Sequence, residues 1–204
     1  MPSEPVSLIL AAGASTRFGG RIKALLSIGG EPAVARLVRL SREEGFEPRV
    51  VVGRYAAEIH RALPDPAPAV LENRDWERGR TGSIQRGLQD LPGDTEVLLW
   101  PVDHPFVQAM TLFRLRTSAE HDAMGVWFIP TFEGSGGHPV LLKPPVLERV
   151  RDLAPGIPLR SLMPEFGPQV VRVPVDDPGV RANVDTEEDY RRFRALEHSG
   201  DEAP

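Results

Sequence analysis

Apolar runs of strand length alternate along this chain with stretches of helical period, the pattern of a mainly parallel sheet covered on both faces. Residues 6–10 read as the first strand. Residues 31–44 set Val34, Leu37, Val38 and Leu40 at helical spacing, with Gly45 where a helix C-terminus calls for glycine. A strand over 49–52, a short helix over 56–63 and a strand over 69–71 follow, the last delivering Asn73 to a loop. Residues 81–91 read as a helix and 96–100 as a buried central strand running into VDHP. Beyond it, 107–120 reads as helical, 123–130 and 139–142 as extended, 145–152 and 158–165 as short helices, and 169–173 as a last strand. Thr186 then opens an acidic first turn, Glu187, Glu188 and Asp189, suited to a helix N-terminus. The pattern predicts one α/β domain over residues 1–204 with its core over about 5–196, a three-layer α/β/α sandwich on a mainly parallel, Rossmann-like sheet, and a frayed tail over 198–204.

Composition narrows what such a domain can do. No apolar run approaches the ~20 residues a membrane span needs, and the first residues, MPSEPVSLIL, lack the basic region and long apolar stretch of a secretory signal. A cytoplasmic protein with no membrane partner is expected. The absence of cysteine excludes disulfides, thiolate metal sites and cysteine nucleophiles, so any catalysis rests on carboxylates, basic groups and metal. A net charge of -5 offers no general attraction for nucleic acid, and an anionic substrate must be held by local basic groups. The 21 prolines sit mostly at element ends and in loops, where they restrict the unfolded chain.

The chemistry concentrates first in residues 8–26, LILAAGASTRFGGRIKALL, where an apolar strand enters a small-residue loop carrying Arg17 and leading to Lys23. Gly13, Gly19 and Gly20 are expected to allow positive φ and close approach of a ligand. Successive backbone N–H groups in such a turn form an anion-binding concavity, and one guanidinium with one ammonium supplies countercharge for a triphosphate. Walker A is excluded, because Lys23 follows Ile22 and precedes Ala24, and the dinucleotide fingerprint is excluded by the spacing from Gly13 to Gly19.

The spacing A-A-G-x-S-x-R-x-G followed by a lysine resembles the signature loop of nucleotidyltransferases with a glycosyltransferase-A-like fold, and within them the branch of molybdenum cofactor cytidylyltransferases and guanylyltransferases. The resemblance implies that the backbone of Leu10, Ala11, Ala12 and Gly13 borders the base and ribose, while Arg17 and Lys23 grip the triphosphate and the leaving pyrophosphate. In VLLWPVDHP, Asp103 lies just past the carboxyl end of a strand, where open α/β sheets bind ligands. It suits Mg²⁺, which takes one or two carboxylates and completes its shell with substrate phosphates, and it equally suits a turn. The resemblance favours the metal. His104 reads as variable and not catalytic.

Three further stretches carry the resemblance. In NRDWERGRTGSIQRGL, Asn73 and Ser83 are candidate nucleotide contacts, and Ser83 equally suits a helix cap. In GSGGHPVLL, His138 stands at the family's Gly-His-Pro and is a candidate acceptor contact, although an arginine that often precedes that motif is replaced by Ser135 and Gly136. In NVDTEEDY, Asp185 is a candidate second metal ligand with Asn183 bracing its loop, while Thr186 or Asp185 with Asp189 or Glu188 also fits a capping box. His60, His121 and His198 read as surface residues, and Trp76, Trp100 and Trp127 as core or lid aromatics.

Taken together, these stretches imply a Mg²⁺-dependent nucleotidyltransferase. It would move a nucleoside monophosphate from CTP or GTP to an anionic, phosphorylated small molecule, with molybdopterin as the leading acceptor, and release pyrophosphate. The double alanine of LAAG leans toward CTP. A sugar 1-phosphate is the nearest alternative acceptor. From another class stands a non-catalytic nucleotide sensor or cofactor-delivery protein, and a molybdoenzyme or its chaperone is the partner that cofactor transfer implies.

Overall fold

The computed structural model describes residues 3–15, 18–194 and 196. The expectations for Arg17, His198 and the tail over 198–204 lie outside the described residues. In chain order the elements are β1 (Val6–Ala11), β2 (Ser27–Ile28), β3 (Glu31–Pro32), α1 (Ala33–Glu43), β4 (Glu47–Val52), α2 (Ala56–Arg61), β5 (Ala69–Glu72), α3 (Arg80–Gly87), β6 (Val97–Pro101), α4 (Ala109–His121), β7 (Trp127–Phe132), β8 (Ser135–Gly136), β9 (Val140–Leu142), α5 (Pro144–Asp152), α6 (Met163–Phe166), β10 (Val170–Pro174) and α7 (Glu187–Phe193). Each expected element is present within a few residues of its expected bounds. Two corrections have plain causes: Glu31 pairs with Ile28 in a small hairpin and leaves α1 to begin at Ala33, and α3 stops at Gly87, short of the expected 91.

The main sheet has the order β10-β7-β9-β6-β1-β4-β5, with β8 hydrogen-bonded to β7. Pairings of β1 with β4 and β6, of β4 with β5 and of β7 with β10 are parallel. Only the short β9, between β6 and β7, and the short β8 run antiparallel to their neighbours.

Side chains alternate along each buried strand, so one strand feeds two cores. From β1, Ile9 and Ala11 join Val34, Leu37, Val38, Leu112 and Leu115 of α1 and α4 on one face. Leu8 and Leu10 join Ile84, Val146, Leu147 and Val150 of α3 and α5 on the other. This is the expected three-layer sandwich. Packing against β1 is close enough that Gly87 is required on α3, since a Cβ there would lie 2.2 Å from Leu8 Cδ1. A smaller cluster of Phe18, Leu26, Ile28, Phe106, Val184 and Tyr190 seats the C-terminal helix beside the hairpin.

The chain runs from β1 outward to β4 and β5, then returns to place β6 on the other side of β1. The reversal lies between β1 and β6, and a crevice opens at the carboxyl ends of strands at such a reversal. Among the described residues no helix is long and apolar enough to cross a membrane.

Candidate active site

A cavity of about 380 Å³ fills that crevice, walled by Leu10 to Ser15 after β1, by Ile22 to Ala24, by Pro101 to Asp103 after β6, and by Trp76, Arg80, Ser83 and Asp185. The structure thus brings together Leu10, Ala11, Ala12, Gly13, Lys23, Ser83, Asp103 and Asp185 of the residues singled out by sequence.

The first loop is shaped by its neighbours. Ser15 takes a φ of 50°, and its Oγ accepts the Lys23 N–H at 3.2 Å. The Tyr55 hydroxyl donates to Ala14 O at 3.2 Å. Where the loop leaves β1 it passes the end of β4 so tightly that a Cβ on Gly53 would lie 2.5 Å from Ala12 O. Gly19 and Gly20 have positive φ as expected, at 55° and 84°. Gly13 does not: it needs no left-handed backbone, and a Cβ on it would meet nothing within 4 Å.

Two ion pairs dominate the cavity. Lys23 Nζ donates to Asp185 Oδ1 at 2.6 Å, with the lysine side chain 16% exposed. Arg80 Nη2 donates to Asp103 Oδ2 at 3.2 Å. The two carboxylate loops are tied together by the Val184 N–H, which donates to Asp103 O at 2.7 Å, and Asn183 Nδ2 donates to Asp185 Oδ2 at 3.1 Å. Asp103 is mostly buried, and burial alone would raise its pKa. The hydrogen bond from His104 Nδ1 at 2.9 Å and the positive charge of its surroundings, Arg80 and Lys23 included, outweigh that and hold it well below the usual carboxylate range.

Several sequence expectations are resolved by these contacts. The capping box is made by Thr186 and Asp189, so the Asp185 side chain is not used as a cap and turns to Lys23. Ser83 does not cap a helix, because α3 begins three residues earlier and Gly79 occupies its N-cap. Asn73 lies behind the wall: its Nδ2 donates to Ser83 Oγ at 2.9 Å and its Oδ1 accepts the Asp75 N–H, so it positions Ser83 and does not line the cavity. Trp100 is core, with Nε1 donating to His104 O at 3.0 Å, Trp127 is buried, and Trp76 lines the cavity.

His138 lines a second, larger cavity that adjoins the first at Arg80 and Pro101. Its ring meets that of His104 edge to face, with centroids 4.8 Å apart. Burial, then the positive charge nearby, pushes its pKa down to about 3, so it stands there as a neutral ring and not as a countercharge for an acceptor phosphate. Its backbone N–H donates to Val180 O at 2.9 Å, and Gly137 passes so close to that carbonyl that a Cβ would lie 2.2 Å from it.

Arg80 and His104 are the site residues that sequence reasoning missed. Arg80 had a signal: a cation in the first turn of a helix opposes the helix dipole, so a partner must hold it. His104 had none beyond its place after Asp103.

Among the described residues no group of three or more histidine or acidic side chains could hold a metal alone. Asp103 and Asp185 offer two hard oxygen donors on one cavity, the number with which Mg²⁺ is held when substrate phosphates complete its shell. The residues fit that ion.

A family model described as MobA-like NTP transferase domain matches residues 7–181. The bifunctional protein GlmU of Chromobacterium violaceum is 34% identical over 113 residues, 55% of this chain and 25% of that protein, so the chain spans only about a quarter of its length. Rv0371c from Mycobacterium tuberculosis H37Rv shares the fold at a TM-score of 0.83 and 24% identity, over 96% of this chain and 99% of that one. A structure of the same protein in complex with manganese superposes at 0.76. Molybdopterin-guanine dinucleotide biosynthesis protein A from Archaeoglobus fulgidus superposes at 0.68 with 17% identity, over 93% and 97% of the two chains.

Proposed function

The chain belongs to the MobA-like NTP transferase domain family and is a nucleotidyltransferase, and from that premise we propose that it moves the monophosphate of a Mg²⁺-bound nucleoside triphosphate, CTP in preference to GTP, to a phosphorylated small molecule. Molybdopterin is the leading acceptor. The observation that carries this reading is the single cavity at the β1/β6 reversal, which holds Lys23, Asp103, Asp185, Ser83 and the backbone of residues 10–13.

An acceptor phosphate oxygen attacks the α-phosphorus, a P–O bond forms, and the bond to the β,γ-pyrophosphate breaks as that group leaves. The acceptor is already an anion, so no general base is needed, and the protein's work is alignment and neutralisation. Lys23, with Arg17 from the same loop, balances the charge that collects on the leaving pyrophosphate. Backbone from Leu10 to Gly13 borders the base and ribose, and Ser83, fixed by Asn73, hydrogen-bonds the nucleotide. Asp103 and Asp185 would hold Mg²⁺, which when bound would draw charge from the phosphates. Because Asp103 is held ionised by its neighbours, it has no proton to lose before it takes up a cation.

The test is transfer of label from each α-³²P nucleoside triphosphate with Mg²⁺ and either molybdopterin or glucose 1-phosphate, with pyrophosphate release followed in parallel. Acceptor-dependent release, greatest with CTP and molybdopterin and lost in Asp103→Asn, is expected. Tight nucleotide binding without release for any acceptor would overturn the reading.

A further inference from the structure

Resting on that function, we propose that the second cavity selects an acceptor with an apolar body and two separate anionic groups, one presented at Arg80 and the other at Arg160, Arg172 and Arg181. The cavity measures about 810 Å³, roughly double the first, and meets it at Arg80 and Pro101. Its floor is apolar, built from Leu99, Ile129, Trp127, Val140, Ile84 and Met163.

The charge of the wall is one-sided. The charged side chains lining it are arginines, and no aspartate, glutamate, asparagine or glutamine lines it. The chain as a whole carries 29 acidic residues against 24 basic ones, so this is a local arrangement and not a consequence of composition. Some arginines elsewhere are held by carboxylates, as Arg39 is by Glu31 and Glu43 and Arg149 by Glu165; what sets this wall apart is that four arginines share one cavity with no acidic side chain on it. Arg160, Arg172 and Arg181 have no carboxylate partner among the described residues, whereas Arg80 has Asp103. Arg172 lines the cavity beside Gly136, whose Cβ, were there one, would lie 3.1 Å from Arg172 Nη1.

Hydrogen-bonding character points the same way. The four arginines of this wall donate only. The Thr81 hydroxyl is already used on Ile157 O. A body rich in hydroxyl groups would bury O–H donors with few side-chain acceptors to receive them, and a buried unsatisfied donor is costly. An apolar body with acceptor oxygens at two ends leaves no such debt. Guanidinium groups recognise phosphate and carboxylate oxygens through paired N–H donors. Of the four arginines Arg80 alone belongs to both cavities, so the anionic group it holds is the one next to the nucleotide.

Calorimetry on the full chain with Mg²⁺ and three probes tests this: phenyl phosphate, 4-carboxyphenyl phosphate and glucose 1-phosphate, with CTP binding measured on the same preparation. The aryl probe with two anionic groups, 4-carboxyphenyl phosphate, is expected to bind about tenfold tighter than either other probe, the scale of one added charge-assisted contact. In the double variant Arg172→Ala/Arg181→Ala that gain should vanish while phenyl phosphate binds as before. Both residues are exposed, so the fold is not at stake. Equal affinity for the two aryl probes, or a double variant indistinguishable from wild type, overturns the two-anion assignment, and glucose 1-phosphate binding as tightly as 4-carboxyphenyl phosphate overturns the apolar body. CTP binding in either case leaves the nucleotide reading standing. The aryl preference without CTP binding supports the cavity assignment and overturns the nucleotide reading instead.

Discussion

His138→Asn should flatten the acid side of the stability profile. In the native protein the imidazole is pushed from its ordinary value of 6.5 down to about 3, by burial and then by the neighbouring positive charge. Unfolded, it binds its proton near the ordinary value. Between these two values the unfolded chain holds more protons than the folded one, so stability rises with pH and falls as pH is lowered through 6.5. Each unit of that interval is worth about 1.4 kcal/mol, so lowering pH from about 7 to about 5 should cost close to 2 kcal/mol through this one ring. Asparagine keeps the backbone N–H that bonds Val180 O and has no proton to gain. Asp103, held low, contributes stability that is lost only below the ordinary carboxylate range, and Glu96 and Asp177, raised by burial, act in the opposite sense; these terms are shared by both proteins. Urea unfolding followed by far-ultraviolet circular dichroism at the two pH values gives the comparison. If wild type and variant lose the same stability on acidification, the ring is not held neutral and the reasoning fails.

Lys23→Ala should lower nucleotidyl transfer by about 10²–10³ with unchanged circular dichroism, the usual cost of removing one preorganised charge partner; wild-type pyrophosphate release would remove Lys23 from the phosphate grip. Ser83→Ala leaves the buried Asn73 amide without its acceptor and should destabilise by about 1–3 kcal/mol in urea titration. A shift near zero would mean that the Asn73 contact does not fix the serine. Gly87→Ala drives a Cβ against Leu8 and should cost about 1–3 kcal/mol as a fall in Tm, and an unchanged Tm would show that α3 can back away from β1.

Strands and helices were legible because their periods are set by what each residue buries: Ile9 and Leu10 must face opposite cores, and Leu37 and Val38 must share one. That Asp103 and the loop after β1 would share one cavity was legible because each follows the carboxyl end of an apolar strand, where open α/β sheets bind ligands. What pairs across that cavity was not. Lys23 and Asp185 are 162 residues apart, and the neighbouring Val184 bonds Asp103 O, long-range links with no local pattern. Asn73 and Ser83 were both marked, yet nothing local distinguishes a residue that lines a cavity from one that holds its neighbour in place. Arg172 was invisible for a similar reason: it stands on β10 and lines the second cavity beside Gly136, two strands away.

The pairing of charges in the cavity also explains how so polar a crevice is stable without substrate. A partly buried carboxylate left without a cation is costly, and so is a cation without a carboxylate. Here each has one: Asp103 is paired with Arg80 and Asp185 with Lys23. Under the proposed function both pairs must open, because the carboxylates are needed for Mg²⁺ and the cations for phosphate. An incoming Mg²⁺-nucleotide carries both charges in one body, so each side chain changes partner and none is left uncompensated. Nucleotide or metal alone satisfies only half of the set and strands the other half, so the two should bind together far better than either binds singly. Arg80 differs from Lys23 in one respect, since it faces the second cavity as well and has a further anionic partner to turn to there. Release of Asp103 is therefore linked to filling of both cavities, and the carboxylate becomes fully available when the nucleotide and its acceptor are both in place.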